Sequence, residues 1–159
     1  MIQIMQISQD GIDFIEKAEN FEPFVYKCSK GASNIGFGRK LKDCCIDLVK
    51  AISPISIESA RILMKKDLKS IKKTINKEVK VNLNQKQYDA LTSLVYNWGG
   101  FNFKNSRGLK RLNEGKFKDA EIEFFSEEKG VVKVNGMVSK GLLSRRKLER
   151  EMWNENQEK

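Results

Sequence analysis

The sequence predicts an α+β protein in which a small β-containing lobe near the N-terminus is joined by a long helix to a larger helical lobe. Between residues 24 and 38, short runs of aromatic and β-branched residues alternate with glycine, which is typical of a small hairpin or sheet. An apolar pattern of helical period then extends over about 20 residues. The rest of the chain shows further helical patterns, so it indicates a mainly helical second lobe.

The first elements along the chain are a helix and a hairpin. Ser8 is a suitable N-cap, and the apolar residues after it indicate a helix that ends near Glu19. The β-rich runs at residues 24–26 and 34–38 flank a turn-rich stretch, so they can pair as a hairpin. Residues 40–54 show no periodic pattern, and we expect an irregular connection there.

The long helix has the clearest pattern in the chain. Ser56 is a suitable N-cap, and the apolar residues behind it recur at spacings of 3, 1, 4, 3 and 4. These residues are Ala60, Leu63, Met64, Leu68, Ile71 and Ile75. At a helical rise of about 1.5 Å per residue, about 20 residues span about 30 Å. Such a length is unusual in so small a chain and favours two lobes.

The helical lobe begins with a helix that opens at Asn84, where Gln87 completes a capping-box pattern. This helix ends at Gly99, since glycine commonly terminates helices. Two or three shorter helices follow, with a loop or hairpin before the last. We expect them at about residues 106–114, 116–127 and 140–155, and the loop or hairpin at residues 130–139.

Composition narrows the classes of function. The chain has 159 residues, a formal net charge of +9 and no histidine. The lack of histidine excludes Ser-His-Asp and Cys-His nucleophile systems and the histidine-dependent zinc motifs. Acid–base catalysis must then come from carboxylates, cysteine, tyrosine or lysine. The positive charge predicts an anionic partner such as a bacterial envelope or nucleic acid, with a solvated basic face as the alternative.

The cysteines indicate a reducing compartment. Cys28, Cys44 and Cys45 are odd in number and two of them are adjacent, so they are not a disulfide framework. We expect no metal site and no cofactor. The N-terminal residues lack the features of a signal peptide, and no apolar run reaches about 18 residues, so we expect neither a signal peptide nor a signal anchor.

The candidate catalytic residues lie in the N-terminal part of the chain. Glu19 closes the first helix, Cys28 follows nine residues later, and Asn34 follows six after that. A carboxyl group at a helix C-terminus lies near the negative end of the helix dipole, which disfavours its ionised form. The hairpin can fold back and present the thiol and the amide opposite this carboxyl. On the residues alone, Glu19 can equally be a surface residue, Cys28 a buried thiol and Asn34 a turn-former.

Several short motifs surround these residues. They are Ala18-Glu19-Asn20, Tyr26-Lys27-Cys28, Gly31 and Ile35-Gly36-Phe37-Gly38. Further segments at residues 55–68, 83–91, 93–99 and 141–150 continue the same pattern in the same order. Together they resemble the phage-type lysozymes, glycoside hydrolase family 24, over about residues 8–153.

The resemblance implies a lysozyme-like fold and hydrolysis of the β-1,4 bond between N-acetylmuramic acid and N-acetylglucosamine in peptidoglycan. It implies that Glu19 is the general acid, that Cys28 acts on the base side, and that Asn34 positions the attacking water of an inverting reaction. Arg145 or Arg146 falls near a family arginine expected to orient the catalytic glutamate. The implied partner is the peptidoglycan glycan strand, with no nucleic acid, no stable membrane insertion and a monomeric protein.

The chain also departs from the family pattern. Asn34 replaces a threonine, Arg39 replaces a histidine, and Glu127 lies near a usual tryptophan. A thiol also ionises only around pH 8.5, so cysteine is a weaker base than aspartate. These departures leave open a degenerate lysozyme fold that binds peptidoglycan or a protein partner without cutting. A third hypothesis is a nucleic-acid binder that uses the lysine-rich long helix, although no recognised nucleic-acid-binding motif is present.

The resemblance also implies a domain layout. We expect one lysozyme-like domain over residues 1–159. Within it, the β-containing lobe covers about residues 12–55, the interlobe helix 56–78, and the helical lobe 79–159 together with the N-terminal helix. We expect synthesis in the host cytoplasm and action in the periplasm or cell wall after release.

Overall fold

A computed structural model describes residues 3–28 and 31–155 of the chain and confirms the predicted α+β class. The described residues form two compact units. One unit contains residues 13–69, and the other contains the residues up to Ile12 together with those from Ser70 onward. Within the described part, no helix combines the length and the apolar character that crossing a bilayer requires.

A three-stranded antiparallel sheet is the centre of the unit of residues 13–69. Its strands pair in chain order and are β1 (Glu22–Lys27), β2 (Ser33–Gly36) and β3 (Arg39–Lys40). Asn34 lies directly opposite Tyr26 of β1 and directly opposite Lys40 of β3. Because directly opposed residues project from the same face of a sheet, these three side chains form one row across the strands.

The first helix, α1 (Gln9–Glu19), ends as predicted. Asn20 follows it with φ +57°, in the left-handed region where a helix commonly terminates, and its N–H donates to the carbonyl of Glu16 at 3.1 Å. The side chain of Ile15 in the helix is 0% exposed, and that of Ile35 in the sheet is 1% exposed. Burial of apolar side chains such as these stabilises the unit.

The irregular connection predicted for residues 40–54 is partly wrong. It contains a short 3-10 helix, Asp43–Cys45, and a helix α2 (Ile46–Ala51). Neither has a side-chain cap at its start, and neither contains a buried residue. Helices this short carry neither an apolar stripe nor a capping signal, so periodicity could not reveal them.

The long helix α3 (Ile57–Glu78) has 22 residues and begins where predicted. The hydroxyl of Ser56 accepts a hydrogen bond from the N–H of Ser59 at 3.1 Å, which caps the helix. Four residues of the predicted apolar stripe are buried. They are Ala60, Met64, Leu68 and Ile75.

The second unit is helical apart from one small hairpin. Its further elements are α4 (Gln85–Trp98), α5 (Gly100–Lys104), α6 (Arg107–Asn113), α7 (Phe117–Phe125), β4 (Lys133–Val134), β5 (Met137–Val138) and α8 (Lys140–Asn154). The short helix α5 was not predicted. The capping box at the start of α4 is confirmed, since Asn84 and Gln87 each accept a hydrogen bond from the other's backbone N–H.

Aromatic side chains fill the core of this unit. The ring of Phe124 lies 5.9 Å from that of Phe103 and 6.5 Å from that of Trp153, measured between ring centroids. Phe125 also contacts Trp153, at 5.7 Å. Aromatic residues bury more apolar area than any other side chains, so this cluster supplies much of the unit's hydrophobic stabilisation.

Candidate active site

Glu19 is half-buried at the C-terminal end of α1, and its carboxyl group lies against the turn between β2 and β3. Gly38 occupies that turn with φ +76°. A Cβ atom on Gly38 would lie 2.7 Å from Oε2 of Glu19, so the carboxyl would have to shift to make room for it. The left-handed backbone of the turn favours glycine, and the carboxyl of Glu19 packs closely against it.

Asn34 reaches the same turn. Its Nδ2 donates a hydrogen bond to the carbonyl oxygen of Gly38 at 3.0 Å. Its Oδ1 is buried and accepts no hydrogen bond from any residue that the structure describes. The carboxyl of Glu19 and the amide of Asn34 thus both contact Gly38.

Cys28 is half-buried immediately after β1 and carries a free thiol. Its backbone is fixed by two hydrogen bonds across the adjacent turn. The N–H donates to the carbonyl of Ala32 at 2.9 Å, and the carbonyl accepts from the N–H of Gly31 at 2.8 Å. Residues 29 and 30, which follow Cys28 in this turn, lie outside the described residues.

Tyr26 belongs to the same cluster, although the sequence pattern assigns it no role. Burial raises the pKa of the Tyr26 hydroxyl, and the nearby Glu19 raises it further. A side-chain hydrogen bond with Asn34 lowers it, and Cys28 adds a smaller upward contribution. The pKa of Tyr26 is therefore affected by all three predicted catalytic residues. Its position opposite Asn34 and two residues before Cys28, at the period of a strand, is the signal that could have revealed it.

Arg39, which replaces the family histidine, has a structural role in this unit. Its guanidinium group forms a salt bridge and hydrogen bond with the carboxylate of Asp67 on α3. Burial raises the pKa of Asp67, and the charge of Arg39 lowers it. Both side chains are about one-third exposed (34% and 33%), so the pair contributes at most about 1 kcal/mol.

Arg145 and Arg146 lie on α8 in the other unit, where both contact the carboxylate of Glu149. The shortest distances are 3.1 Å from Nε of Arg145 to Oε1, and 2.7 Å from Nε of Arg146 to Oε2. Ser93 of α4 donates its hydroxyl proton to Oε1 at 2.6 Å. Their predicted role toward Glu19 stays a prediction.

Metal ligands are not clustered in the part of the chain that the structure covers. Across residues 3–28 and 31–155, no three His, Cys, Asp or Glu side chains are arranged to hold a metal ion. The two adjacent thiols, Cys44 and Cys45, have sulfur atoms 3.5 Å apart on the short 3-10 helix.

The resemblance implies hydrolysis of peptidoglycan, and we expect Gly38→Ala to lower that activity by about 10²-fold, because displacing a catalytic group by about 1 Å can cost that much. The new Cβ must displace the carboxyl of Glu19 or the carbonyl that Asn34 binds. The left-handed φ adds about 1 kcal/mol of strain. Steady-state hydrolysis and thermal unfolding measure the two effects.

The matched control is Gly136→Ala. Gly136 has φ +81°, and a Cβ atom added to it would meet no atom within 4 Å, so the substitution imposes the same strain without the steric contact. Equal losses of activity in the two variants would show that Gly38 acts through backbone strain alone.

Comparison with known proteins shows similarity over nearly the whole chain. The phage lysozyme family model matches residues 16–149. An endolysin of Acyrthosiphon pisum secondary endosymbiont phage 1 is 33% identical over 151 residues, which cover 94% of this chain and 98% of that relative.

Solved structures show the same similarity. The crystal structure of a P22 lysozyme mutant aligns with a TM-score of 0.71 and 31% identity, covering 94% of this chain and 98% of that one. The muramidase domain of SpmX from Asticaccaulis excentricus aligns with a TM-score of 0.76 and 26% identity, covering 96% and 98%. The matched region includes Glu19, Cys28 and Asn34.

Proposed function

The chain belongs to the phage lysozyme family, and from this premise we propose that it hydrolyses peptidoglycan by an inverting reaction that uses Glu19, Cys28 and Asn34. As a member of that family it is a muramidase, a glycosidase that cleaves the β-1,4 bond between N-acetylmuramic acid and N-acetylglucosamine. The similarity favours an enzyme over a degenerate fold that only binds peptidoglycan or a protein, and over a nucleic-acid binder.

The acid side of the proposed reaction is Glu19. Its protonated carboxyl donates a proton to the glycosidic oxygen as the bond between that oxygen and the anomeric carbon breaks. The leaving sugar departs as a neutral alcohol, and positive charge develops on the remaining ring. The support for this assignment is the position of Glu19 at the end of α1, half-buried and held against the turn at Gly38.

The base side consists of Asn34 and Cys28. A water molecule held by the Asn34 amide attacks the anomeric carbon from the face opposite the leaving group, and its proton passes to the sulfur of Cys28 where that thiol is ionised, or to solvent. The observation that carries the proposal is the contact that Asn34 and Glu19 both make with Gly38. Nδ2 of Asn34 donates a hydrogen bond to the carbonyl of Gly38 at 3.0 Å, and the carboxyl of Glu19 packs against the same residue, so the amide lies beside the proposed acid.

For Arg145 and Arg146 we propose the role that the family resemblance implies, a charge-assisted hydrogen bond that orients Glu19. Arg145 uses Nε and Nη2 for its contacts with Glu149 and Ser93. We also propose that the protein acts as a monomer on glycan strands after release from the host cytoplasm.

The products of peptidoglycan digestion test this proposal. We expect soluble muropeptides with N-acetylmuramic acid at the new reducing end, and the first-formed product has the α configuration if the reaction inverts. Proton NMR during the first minutes of digestion distinguishes the anomers before they equilibrate. A first product of β configuration would contradict inversion, and release of no muropeptide would contradict the enzymatic function itself.

We expect Cys28→Ala to lower activity by about 10-fold or more, since general-base assistance contributes about 10²–10⁴-fold and a thiol supplies only part of it. Cys28→Asp should match or exceed the wild type at pH 7, because a carboxylate is ionised there. Hydrolysis of labelled peptidoglycan measures both. Cys45→Ala, which removes a thiol on the 3-10 helix, is the control. Full activity of Cys28→Ala would exclude a base-side role for Cys28.

A further inference from the structure

Two adjacent thiols lie side by side on the 3-10 helix between β3 and α2. Sγ of Cys44 and Sγ of Cys45 are 3.5 Å apart, and either thiol can donate a weak hydrogen bond to the other. Both cysteines are free, Cys44 is exposed and Cys45 is half-buried. This helix buries none of its residues, so a molecule in solvent can reach the pair.

Backbone hydrogen bonds hold the segment that carries the two thiols. The N–H of Cys45 donates to the carbonyl of Lys42 at 2.9 Å, and the N–H of Ile46 donates to the carbonyl of Asp43. The peptide bond between the two cysteines therefore lies inside a hydrogen-bonded turn. The folded chain presents both sulfur atoms together before any ligand arrives, which lowers the entropic cost of binding to both of them.

The separation of the sulfur atoms decides which ligand fits. A disulfide requires them to approach to about 2.05 Å, and the Cα atoms of neighbouring residues, about 3.8 Å apart, are closer than the separation of about 4.4 Å or more that disulfides usually span. A single atom that forms bonds of about 2.3 Å to both sulfurs needs an angle of about 100° between those bonds to match the 3.5 Å separation. The pair therefore matches a bridging atom without rearrangement.

The number of ligands distinguishes a metal ion from a main-group atom. Zinc in proteins usually takes four ligands. Within residues 3–28 and 31–155, no third His, Cys, Asp or Glu side chain is arranged with these thiols to hold a metal ion. A trivalent arsenic atom that already carries one organic group needs only two sulfur atoms. Such an atom is pyramidal, with bond angles close to the angle that the pair requires.

We propose that Cys44 and Cys45 together bind trivalent organoarsenicals of the type R–As=O. Each sulfur forms one bond to arsenic, and the two thiol protons leave with the arsenyl oxygen as one molecule of water. Arsenic stays trivalent, so the step needs no oxidant or reductant. The site is separate from the proposed base Cys28, which makes no sulfur–sulfur contact among the described residues and can form only one bond to arsenic.

Phenylarsine oxide tests the proposal on the full-length, reduced protein. Intact-mass spectrometry should show one phenylarsine oxide bound with the loss of one water. Binding should survive an excess of the monothiol mercaptoethanol and be reversed by the dithiol dithiothreitol. We expect Cys44→Ser and Cys45→Ser each to lower the affinity by about 10²-fold or more, because the second bond to arsenic is then no longer formed within one molecule.

The matched control is Cys28→Ser, which removes a thiol of the same unit but leaves the pair intact, so its affinity for phenylarsine oxide should equal that of the wild type. Circular dichroism and Tm check that each variant folds. An equal loss of affinity in Cys28→Ser, or an unchanged affinity in Cys44→Ser, would overturn the proposal. Release of the arsenical from the wild type by mercaptoethanol would also overturn it, since a single sulfur would then account for binding.

Discussion

Glu19→Gln is expected to lower peptidoglycan hydrolysis by about 10²–10⁴-fold, the range that general acid catalysis contributes. Glutamine has nearly the same shape as glutamic acid, so it fits the space beside the turn at Gly38. Its amide cannot transfer a proton to the glycosidic oxygen, and the leaving sugar must then depart as an alkoxide. Release of soluble muropeptides from labelled peptidoglycan measures the loss.

The control for this substitution is Glu22→Gln. Glu22 is an exposed carboxylate of β1 in the same unit, so its replacement removes the same charge without removing the proposed acid. The Tm of Glu19→Gln should stay within about 2 °C of the wild type, because glutamine has nearly the same shape and keeps the packing beside Gly38. A Glu19→Gln protein that digests peptidoglycan at the wild-type rate would exclude Glu19 as the acid.

The elements that could be predicted from the sequence are those with local signals. The start of α4 was predicted because Asn84 and Gln87 cap the helix through side-chain bonds to the backbone within one turn. The extent of α3 was predicted because its buried residues recur with helical period over many turns. Such signals depend on neighbours in the chain and need no knowledge of tertiary packing.

The elements missed have too few residues for such a signal. The helix α5 has five residues and buries one of them, Phe103, so it contains no complete apolar stripe. The helix α2 has six residues and buries none. A short helix of this kind is stabilised by the chain on either side of it, which a local pattern does not contain.

The candidate site, like the fold, could be predicted from the sequence only in part. The spacing of Glu19, Cys28 and Asn34 suggested a cluster, and the structure brings Glu19 and Asn34 to the turn at Gly38. The contact between Glu19 and Gly38 depends on how a helix packs against a hairpin, so no pattern in the sequence contains it.

A second large effect is expected at Glu149, whose carboxylate is completely buried together with Arg146 (both 0% exposed). Glu149→Ala should lower the free energy of unfolding by about 3–5 kcal/mol, because removing one partner leaves buried charges uncompensated. Two guanidinium groups lose their common anion, and the hydroxyl of Ser93 loses its acceptor. Urea denaturation followed by circular dichroism measures the change.

Glu151→Ala is the matched control, since Glu151 is an exposed glutamate of the same helix and its replacement should change stability by less than about 0.5 kcal/mol. Glu149→Gln separates charge from hydrogen bonding: it keeps an acceptor for Ser93 but leaves the two arginines uncompensated, so it should recover only a part of the loss. If Glu149→Gln were as stable as the wild type, hydrogen bonding would account for the role of Glu149.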